Sequence, residues 1–195
     1  MIGNRMVKVN GIYRGPQGLV RVAPDGLLEG LTVITASLGA VVHWHKSGSH
    51  QDLGIICRMK VSTAFVNILA KALDPTNTTE YALLKAYKYH QWGTNTTGEA
   101  NTQLGCIAPA DTVYRVANSN AFDIGTQVGG TVSYATVATL VANDSVNIAE
   151  HCVHPEAGAT SKGLDRSLFT AIPLNALDAV TWTYTLNIPA QTNET

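Results

Sequence analysis

Three histidines around residue 45 are the first side chains whose type and spacing could bind a metal. His43 and His45 flank Trp44 on a stretch that predicts a strand, and His50 follows a short loop. Two imidazoles on one strand face, with a later histidine and a carboxylate, can hold a transition metal in a β-barrel, as in cupin-type sites. Residues 46–49 supply no glutamate where that motif needs one. We therefore expect surface or edge histidines, with a cupin-like metal enzyme using His43, His45 and His50 as an alternative.

A second cluster of potential ligands lies at residues 150–154, which read Glu-His-Cys-Val-His. The flanking Val, Asn and Ile residues favour a strand, on which side chains alternate between faces. Cys152 and His154 then share one face while His151 points to the other, so the three cannot converge on one ion. We expect these residues to pack within a strand.

The remaining reactive side chains form no catalytic pattern. Nothing marks an activated thiolate, such as a helix N-terminus or a cluster of cations, beside any of the three cysteines, Cys57, Cys106 and Cys152. The loop at Gly93–Gly98 lacks the Gly-Lys-Ser/Thr ending of a phosphate loop. Asp165 and Arg166, close to Glu156 and Lys162, are predicted to lie in a solvated turn. The sequence predicts no catalytic residue, no cofactor and no enzymatic activity.

The elements that position these residues must come from a nearly neutral chain. It has 195 residues, 45% of them apolar and only 14% charged, and its 13 basic and 14 acidic residues leave a net charge of −1. Such a balance argues against nucleic-acid binding through bulk charge and against a charge-rich disordered chain. A surface of Thr, Asn, Ser, Gln and Gly repels its neighbours weakly, which suits a protein packed against other subunits.

Cysteine content and hydropathy indicate the cellular compartment in which the chain is expected. An odd number of cysteines without CxxC spacing predicts reduced, mostly buried thiols rather than a disulfide framework. The start of the chain has no apolar leader, so we expect synthesis in the cytoplasm. The longest uncharged apolar stretch, residues 30–42, is shorter than the ~20 residues that cross a bilayer, so no membrane partner is expected.

The pattern of apolar residues predicts a mainly β protein. The clearest alternation places Val180, Trp182, Tyr184, Leu186 and Ile188 on one face of a strand, with Thr and Asn residues on the other. Further strands are expected at 31–44, 53–60, 81–92, 131–141, 146–154 and 164–172, with 131–141 and 146–154 paired as a hairpin. Short strands at this spacing indicate an antiparallel β-sandwich, jelly-roll-like, over residues 31–195.

Two segments depart from the strand pattern. One short amphipathic helix is expected after a cap at Ser62 or Thr63, with apolar residues at helical spacing and an end at Asp74-Pro75. Residues 1–30 are interrupted by Gly and Pro, including the turn Pro24-Asp25-Gly26, and predict an extended N-terminal arm or a short hairpin at 19–22.

A longer motif combines a Tyr-His strand end, a Gly-Thr-Asn-Thr-Thr loop, a Glu-Ala pair and a Thr-x-Leu segment. It reads Lys88-Tyr89-His90-Gln91-Trp92-Gly93-Thr94-Asn95-Thr96-Thr97-Gly98-Glu99-Ala100-Asn101-Thr102-Gln103-Leu104. Ala149-Glu150-His151, then Leu164-Asp165-Arg166-Ser167-Leu168-Phe169, and a final alternating strand ending in Pro follow in order. Over about residues 61–190 this order resembles structural proteins of tailed bacteriophages. Asn95 departs from that pattern, which usually has Gly there, and the first 60 residues lie outside it.

The resemblance implies a structural component of a phage particle, most simply a capsid decoration (cement) protein bound to the major capsid protein of the same phage. It would be made in the bacterial cytoplasm and reside on the capsid surface as a homo-oligomer, a dimer or trimer. Tyr13, Arg14 and Arg21 are the candidate anchors of the arm on the capsid. The alternative in this class is a tail, neck or fibre component whose β-sandwich binds carbohydrate through Trp44, Trp92 and Tyr87.

Overall fold

A computed structural model describes residues 34–84, 86–98, 105–110, 131–156 and 163–189, together with strand backbone at 7–9, 12–15, 18–21, 116–117 and 123–124. The chain divides into two compact units, Met1–Val33 with Asn193–Thr195, and Ile34–Thr192. No helix in these described ranges is long and apolar enough to cross a membrane.

In the first unit, the described backbone forms three short strands, β1 (Val7–Val9), β2 (Ile12–Gly15) and β3 (Gly18–Arg21). They pair antiparallel in the order β1-β2-β3. The backbone here therefore forms a small sheet, where the sequence predicted an extended arm or a single short hairpin. The side chains of Tyr13, Arg14 and Arg21 and the turn at Pro24-Asp25-Gly26 lie outside the described residues.

In the second unit, the described residues form two antiparallel sheets and two helices. Its elements are β4 (Thr35–His43), β5 (His50–Lys60), α1 (Thr63–Ala72), α2 (Thr78–Leu84), β6 (Tyr89–Gly93), β7 (Val116–Ala117), β8 (Asp123–Ile124), β9 (Thr131–Val141), β10 (Val146–His154), β11 (Arg166–Leu174) and β12 (Ala179–Pro189). One sheet has the order β5-β4-β12-β9-β8 and the other β11-β10-β6-β7. The prediction of a mainly β, antiparallel, sandwich-like fold is confirmed at this level.

Strand β12 is the centre of the five-stranded sheet, paired with β4 on one side and β9 on the other. Its Val, Trp, Tyr and Leu side chains are buried and Thr183 is exposed, as the alternation predicted. Trp182 meets Trp92 of β6 edge-to-face and Phe169 of β11 at a tilt, with ring centroids 6.3 and 5.4 Å apart. The apolar core therefore lies between the two sheets, and its largest fully buried side chains include Trp92, Trp182 and Tyr184.

Helix α1 follows the sequence prediction closely. The Ser62 hydroxyl accepts the backbone N–H of Phe65 at 3.1 Å, which satisfies one of the free donors at the helix start. Phe65 and Ile68 are buried, and the helix ends at Ala72, just before Asp74-Pro75.

The expectation of a single helix, and of a strand over 81–92, is wrong. Residues 78–84 form α2, and the strand occupies only Tyr89–Gly93. The side chain of Asn77 accepts the backbone N–H of Glu80 at 3.3 Å. The Asn-x-x-Glu spacing is a helix-start signature, and it outweighs the apparent alternation of Tyr and Leu residues that followed it.

The predicted hairpin of β9 with β10 is also wrong, because these strands lie in different sheets. From Ile148 to His154 both faces of β10 are buried, and β6 and β11 flank it. An isolated two-stranded hairpin with β9 would leave β10 exposed to solvent, which does not agree with this burial. The turn after β9 is instead held by Asp178, whose carbonyl accepts the N–H of Ala142 at 2.8 Å.

Candidate functional site

The three histidines singled out as metal ligands do not form a cluster. His43 and His50 are cross-strand partners on β4 and β5, exposed, with ring centroids 6.4 Å apart. Strand β4 ends at His43 and His45 lies in the following turn, so the prediction that both share a strand face is wrong. His43 Nε2 lies 3.0 Å from Thr181 Oγ1, and the backbone N–H of His45 donates to Asp178 at 2.7 Å. Within the described part of the chain, no three His, Cys, Asp or Glu side chains come together as metal ligands.

The aromatic residues considered for carbohydrate binding are also separated. Trp92 is 2% exposed and Tyr87 is fully buried, so neither can stack on a sugar ring at the surface. Trp44 is half-buried and lines an open groove of about 540 Å³ between β4, β5 and β11, together with Gln51 and Phe169. Only one of the three predicted aromatic residues is therefore placed to contact a ligand.

Among the described residues, Glu150 and Arg166 form an ion pair that is surrounded by further hydrogen bonds. Glu150 of β10 is fully buried, Arg166 of β11 is 4% exposed, and Arg166 Nε donates to Glu150 Oε2. Asp165, beside it, is 2% exposed and accepts the Tyr184 hydroxyl at 2.7 Å. The prediction of a solvated turn at Asp165 and Arg166 is wrong, because both charges face partners beneath covering loops.

Glu150 fixes the loop at 105–110. Its Oε2 accepts the backbone N–H of Ile107 at 3.1 Å, and its Oε1 accepts that of Ala108 at 2.8 Å and that of Asn95 at 3.4 Å. A buried carboxylate is costly unless charge and hydrogen bonds surround it, and here both are present.

Arg166 fixes the loop at 94–98. Its Nη1 donates to the carbonyl of Thr97 at 2.9 Å, and its Nη2 to the side-chain oxygen of Asn95 at 2.9 Å. Longer contacts join the same nitrogens to the carbonyls of Gly98 and Asn95, at 3.5 and 3.4 Å. The planar guanidinium thus satisfies several acceptors of one loop at once, a geometry that lysine cannot reproduce.

Gly93 makes room for this arrangement. A Cβ atom at that position would overlap the Glu150 carboxylate and the carbonyl of Ala108. The Gly93–Gly98 segment is therefore a loop that wraps a buried ion pair, and its glycine permits close approach of the backbone. The pattern Gly-Thr-Asn-Thr-Thr together with a distant Glu and Arg was present in the sequence, but nothing local paired them.

On the other face of β10, two buried histidines contact each other. His90 Nδ1 lies 3.0 Å from His151 Nε2, and His90 Nε2 lies 3.4 Å from Thr136 Oγ1. The His151 ring packs on Trp182 with centroids 4.8 Å apart. Burial lowers the pKa of His90 to about 3 and that of His151 well below its ordinary value of 6.5. Both rings are therefore neutral near pH 7, and they serve packing, as expected for residues 150–154.

Three neighbouring strands of the five-stranded sheet present an outer face without charged residues. The outward positions of β4, β9 and β12 are occupied by Thr, Ser, Asn, Val, Ala and Gly, with His43 at one end, and by no Asp, Glu, Lys or Arg. Thr139 and Thr181 hydroxyls are 2.8 Å apart, and Ser133 donates to Asn187 at 2.8 Å. We call this surface the hydroxyl face. Its border on β5 carries Asp52 and Arg58.

Comparison of the chain with protein-family models, with curated proteins and with solved structures gave no match.

Proposed function

We propose that this chain is a structural component of a bacteriophage particle, most simply a capsid decoration (cement) protein that binds and stabilises the assembled shell of the major capsid protein. The observation that carries the proposal is the uncharged hydroxyl face. Charged residues normally make up 25–35% of a solvated surface, and their depletion marks the centre of protein interfaces. The resemblance of residues 61–190 to tailed-phage structural proteins is the reason for proposing that the assembly is a phage particle.

The occupant that we propose for the hydroxyl face is a second copy of the chain. Three long strands, about 4.8 Å apart and 9 to 11 residues in length, present roughly 500 Å², which is somewhat less than the ~800 Å² that each partner buries in a standard interface. The charges of Asp52 and Arg58 lie at its edge, as a polar rim does. Face-to-face pairing of the sheets in this way would give the proposed dimer.

The interior supports a role as a rigid scaffold. Glu150 and Arg166 bond to each other and to two loops. His90 and His151 contact each other in the interior. These groups fix surface loops to strands, and rigid loops lower the entropy cost of binding a neighbour. We also propose that the strands of this scaffold are connected as in a jelly roll.

The contact with the capsid protein is assigned to residues 1–30, with Tyr13, Arg14 and Arg21 as anchors. A protein that binds only the assembled shell stabilises that state by its binding free energy. An oligomer that bridges neighbouring capsid subunits multiplies weak contacts into avidity. The chain would thus reach the capsid surface after its synthesis in the host cytoplasm.

The experiment is co-sedimentation of the purified chain with assembled, undecorated shells of the same phage. The full chain should sediment with shells at a fixed stoichiometry, and a chain lacking residues 1–30 should remain in the supernatant. A thermal melt of the deletion variant is the control for folding of residues 31–195. Equal sedimentation of both chains would refute the assignment of the capsid contact to residues 1–30.

One observation favours a second candidate, a tail, neck or fibre component that binds carbohydrate. Trp44 and Phe169 line the open groove beside the Gln51 amide, and stacking rings next to a polar group suit a sugar. Titration with host surface glycans, followed by tryptophan fluorescence, tests it. The cupin-like alternative is tested by metal analysis of the purified protein, in which stoichiometric zinc, iron or manganese would revive it.

A further inference from the structure

Two cysteines that are distant in sequence lie side by side in the fold. Cys106 Sγ, in the loop at 105–110, is 3.3 Å from Cys152 Sγ of β10, although 46 residues separate them. Cys152 is buried, Cys106 is half-buried, and Cys106 Sγ also lies 3.6 Å from the carbonyl of Gln91. The third thiol, Cys57, is on β5 in the other sheet.

The backbone that follows Cys106 is held in place by hydrogen bonds. The N–H groups of Ile107 and Ala108 donate to Glu150, two residues before Cys152 on the same strand. The N–H of Ala110 donates to the Trp92 carbonyl at 3.1 Å. Gly105 lies against the ring of His154, where an added Cβ would be 2.8 Å from Cε1. The two sulfur atoms are therefore neighbours because anchored backbone places them there.

We propose that Cys106 and Cys152 are an oxidation site, at which a small-molecule disulfide such as oxidised glutathione converts the two thiols to an intramolecular disulfide. A disulfide has a sulfur–sulfur distance of about 2.05 Å, so the sulfur atoms approach by roughly 1.3 Å, which side-chain rotation can supply. The chemistry holds whether or not the chain is a phage protein.

The order of the two exchange steps follows from burial. Cys152 is enclosed, and burial raises the pKa of its thiol well above the ordinary value, so the half-buried Cys106 reacts first. Its thiolate attacks one sulfur of oxidised glutathione, that disulfide breaks, and one glutathione thiolate leaves. Cys152 then loses its proton and attacks the Cys106 sulfur, expelling the second glutathione. The protein loses two hydrogens, and two molecules of reduced glutathione carry them.

The new bond would connect the loop at 105–110 to β10 covalently. It would lie next to the hydrogen bonds that Glu150 makes to the same loop, and it would close a loop of 46 residues. Such a link restricts the unfolded chain and stabilises the folded one.

The test treats the folded full-length protein with oxidised glutathione and measures intact mass and free thiols. The expected result is loss of two of the three thiols, a mass decrease of two hydrogens, and a cross-linked peptide that contains Cys106 and Cys152. Reduction with dithiothreitol should restore all three thiols. Three unreacted thiols, or a cross-link that includes Cys57, would overturn the proposal.

Variants separate the two steps. Cys57→Ser is the matched control and should form the same cross-link as the wild type. Cys152→Ala should stop after the first step, with one glutathione attached to Cys106, whereas Cys106→Ser should take up none at residue 152. Glutathione attached to Cys152 in Cys106→Ser would contradict the order of attack. The wild-type peptide map stands on its own if a variant fails to fold.

Discussion

The Arg166 guanidinium donates to the side-chain oxygen of Asn95 at 2.9 Å, which connects the buried ion pair to the loop at 94–98. The Asn95 side chain therefore supplies an acceptor that glycine, which has no side chain, would lack at this position. The same oxygen also accepts the backbone N–H of Thr97 at 2.7 Å, which closes the turn. The Asn95 side chain thus strengthens the attachment of the loop to β11.

Replacement of Asn95 by Ala should lower the stability of the domain without changing its fold. Hydrogen bonds to a charged group contribute about 1.5–3 kcal/mol, and part of this returns through water because Asn95 is half-buried. We expect a loss of about 1–2 kcal/mol in the free energy of unfolding, measured by urea denaturation. Thr96→Ala, an exposed neighbour in the same loop, is the control and should change stability by less than about 0.5 kcal/mol. Equal effects of the two variants would contradict the assigned contact.

Removal of one partner of the buried ion pair should have a much larger effect. Glu150→Ala leaves the Arg166 charge buried and frees the N–H groups of Ile107 and Ala108, so we expect a loss of about 3–5 kcal/mol. The control is Lys71→Gln, which removes an exposed partner of Glu80 at 3.7 Å and should cost less than about 1 kcal/mol. Both values follow from chemical denaturation. A Glu150→Ala protein as stable as Lys71→Gln would show that the pair is solvated.

Acid should destabilise the protein through the buried histidine pair. The pKa of His90 is about 3 in the folded state and 6.5 when solvated, so between these values the unfolded chain binds more protons. The free energy of unfolding is therefore not reduced by His90 above pH 6.5. It decreases as the pH falls from 6.5 toward 3, by up to about 1.4 kcal/mol per pH unit for each such histidine.

The check is the slope of the melting temperature against pH in this window. A His90→Gln variant should have a shallower slope than the wild type, whereas His50→Gln, at an exposed position, should keep the wild-type slope. Identical slopes in all three proteins would exclude His90 as a contributor.

A charge in the hydroxyl face should prevent self-association. Thr183 is exposed at the middle of β12, and Thr183→Lys would bury an ammonium group if two sheets pair there. Sedimentation velocity should then show monomers for Thr183→Lys and the oligomer for the wild type. Val66→Lys, on the exposed side of α1, is the control and should remain oligomeric. An oligomer that survives Thr183→Lys would place its interface elsewhere.

The parts of the fold that the sequence predicted are those decided by local periodicity. The alternation of β12 was readable because one face is buried and the other is solvated, and α1 because its cap and its apolar spacing agree. The helix α2 was missed because its seven residues include two threonines and a tyrosine, residue types that are also common in strands. The spacing of Asn77 and Glu80 nevertheless carried a helix-start signal.

The candidate site was less predictable because its parts meet only through the tertiary fold. Glu150 and Arg166 are close in sequence, but their burial depends on two loops, of which one begins more than fifty residues earlier. Likewise, His90 contacts His151 because β6 and β10 are neighbours in the sheet, a pairing that the sequence did not predict. No periodicity encodes these pairings.

The most direct measurement of the proposed role is the number of copies of this chain in purified particles of the phage proposed to encode it, obtained by quantitative mass spectrometry against the major capsid protein. A decoration protein predicts hundreds of copies per particle, in a fixed ratio to the capsid protein. Absence of the chain from the particle would contradict the structural role altogether, and a handful of copies would assign it to the tail or neck instead of the shell.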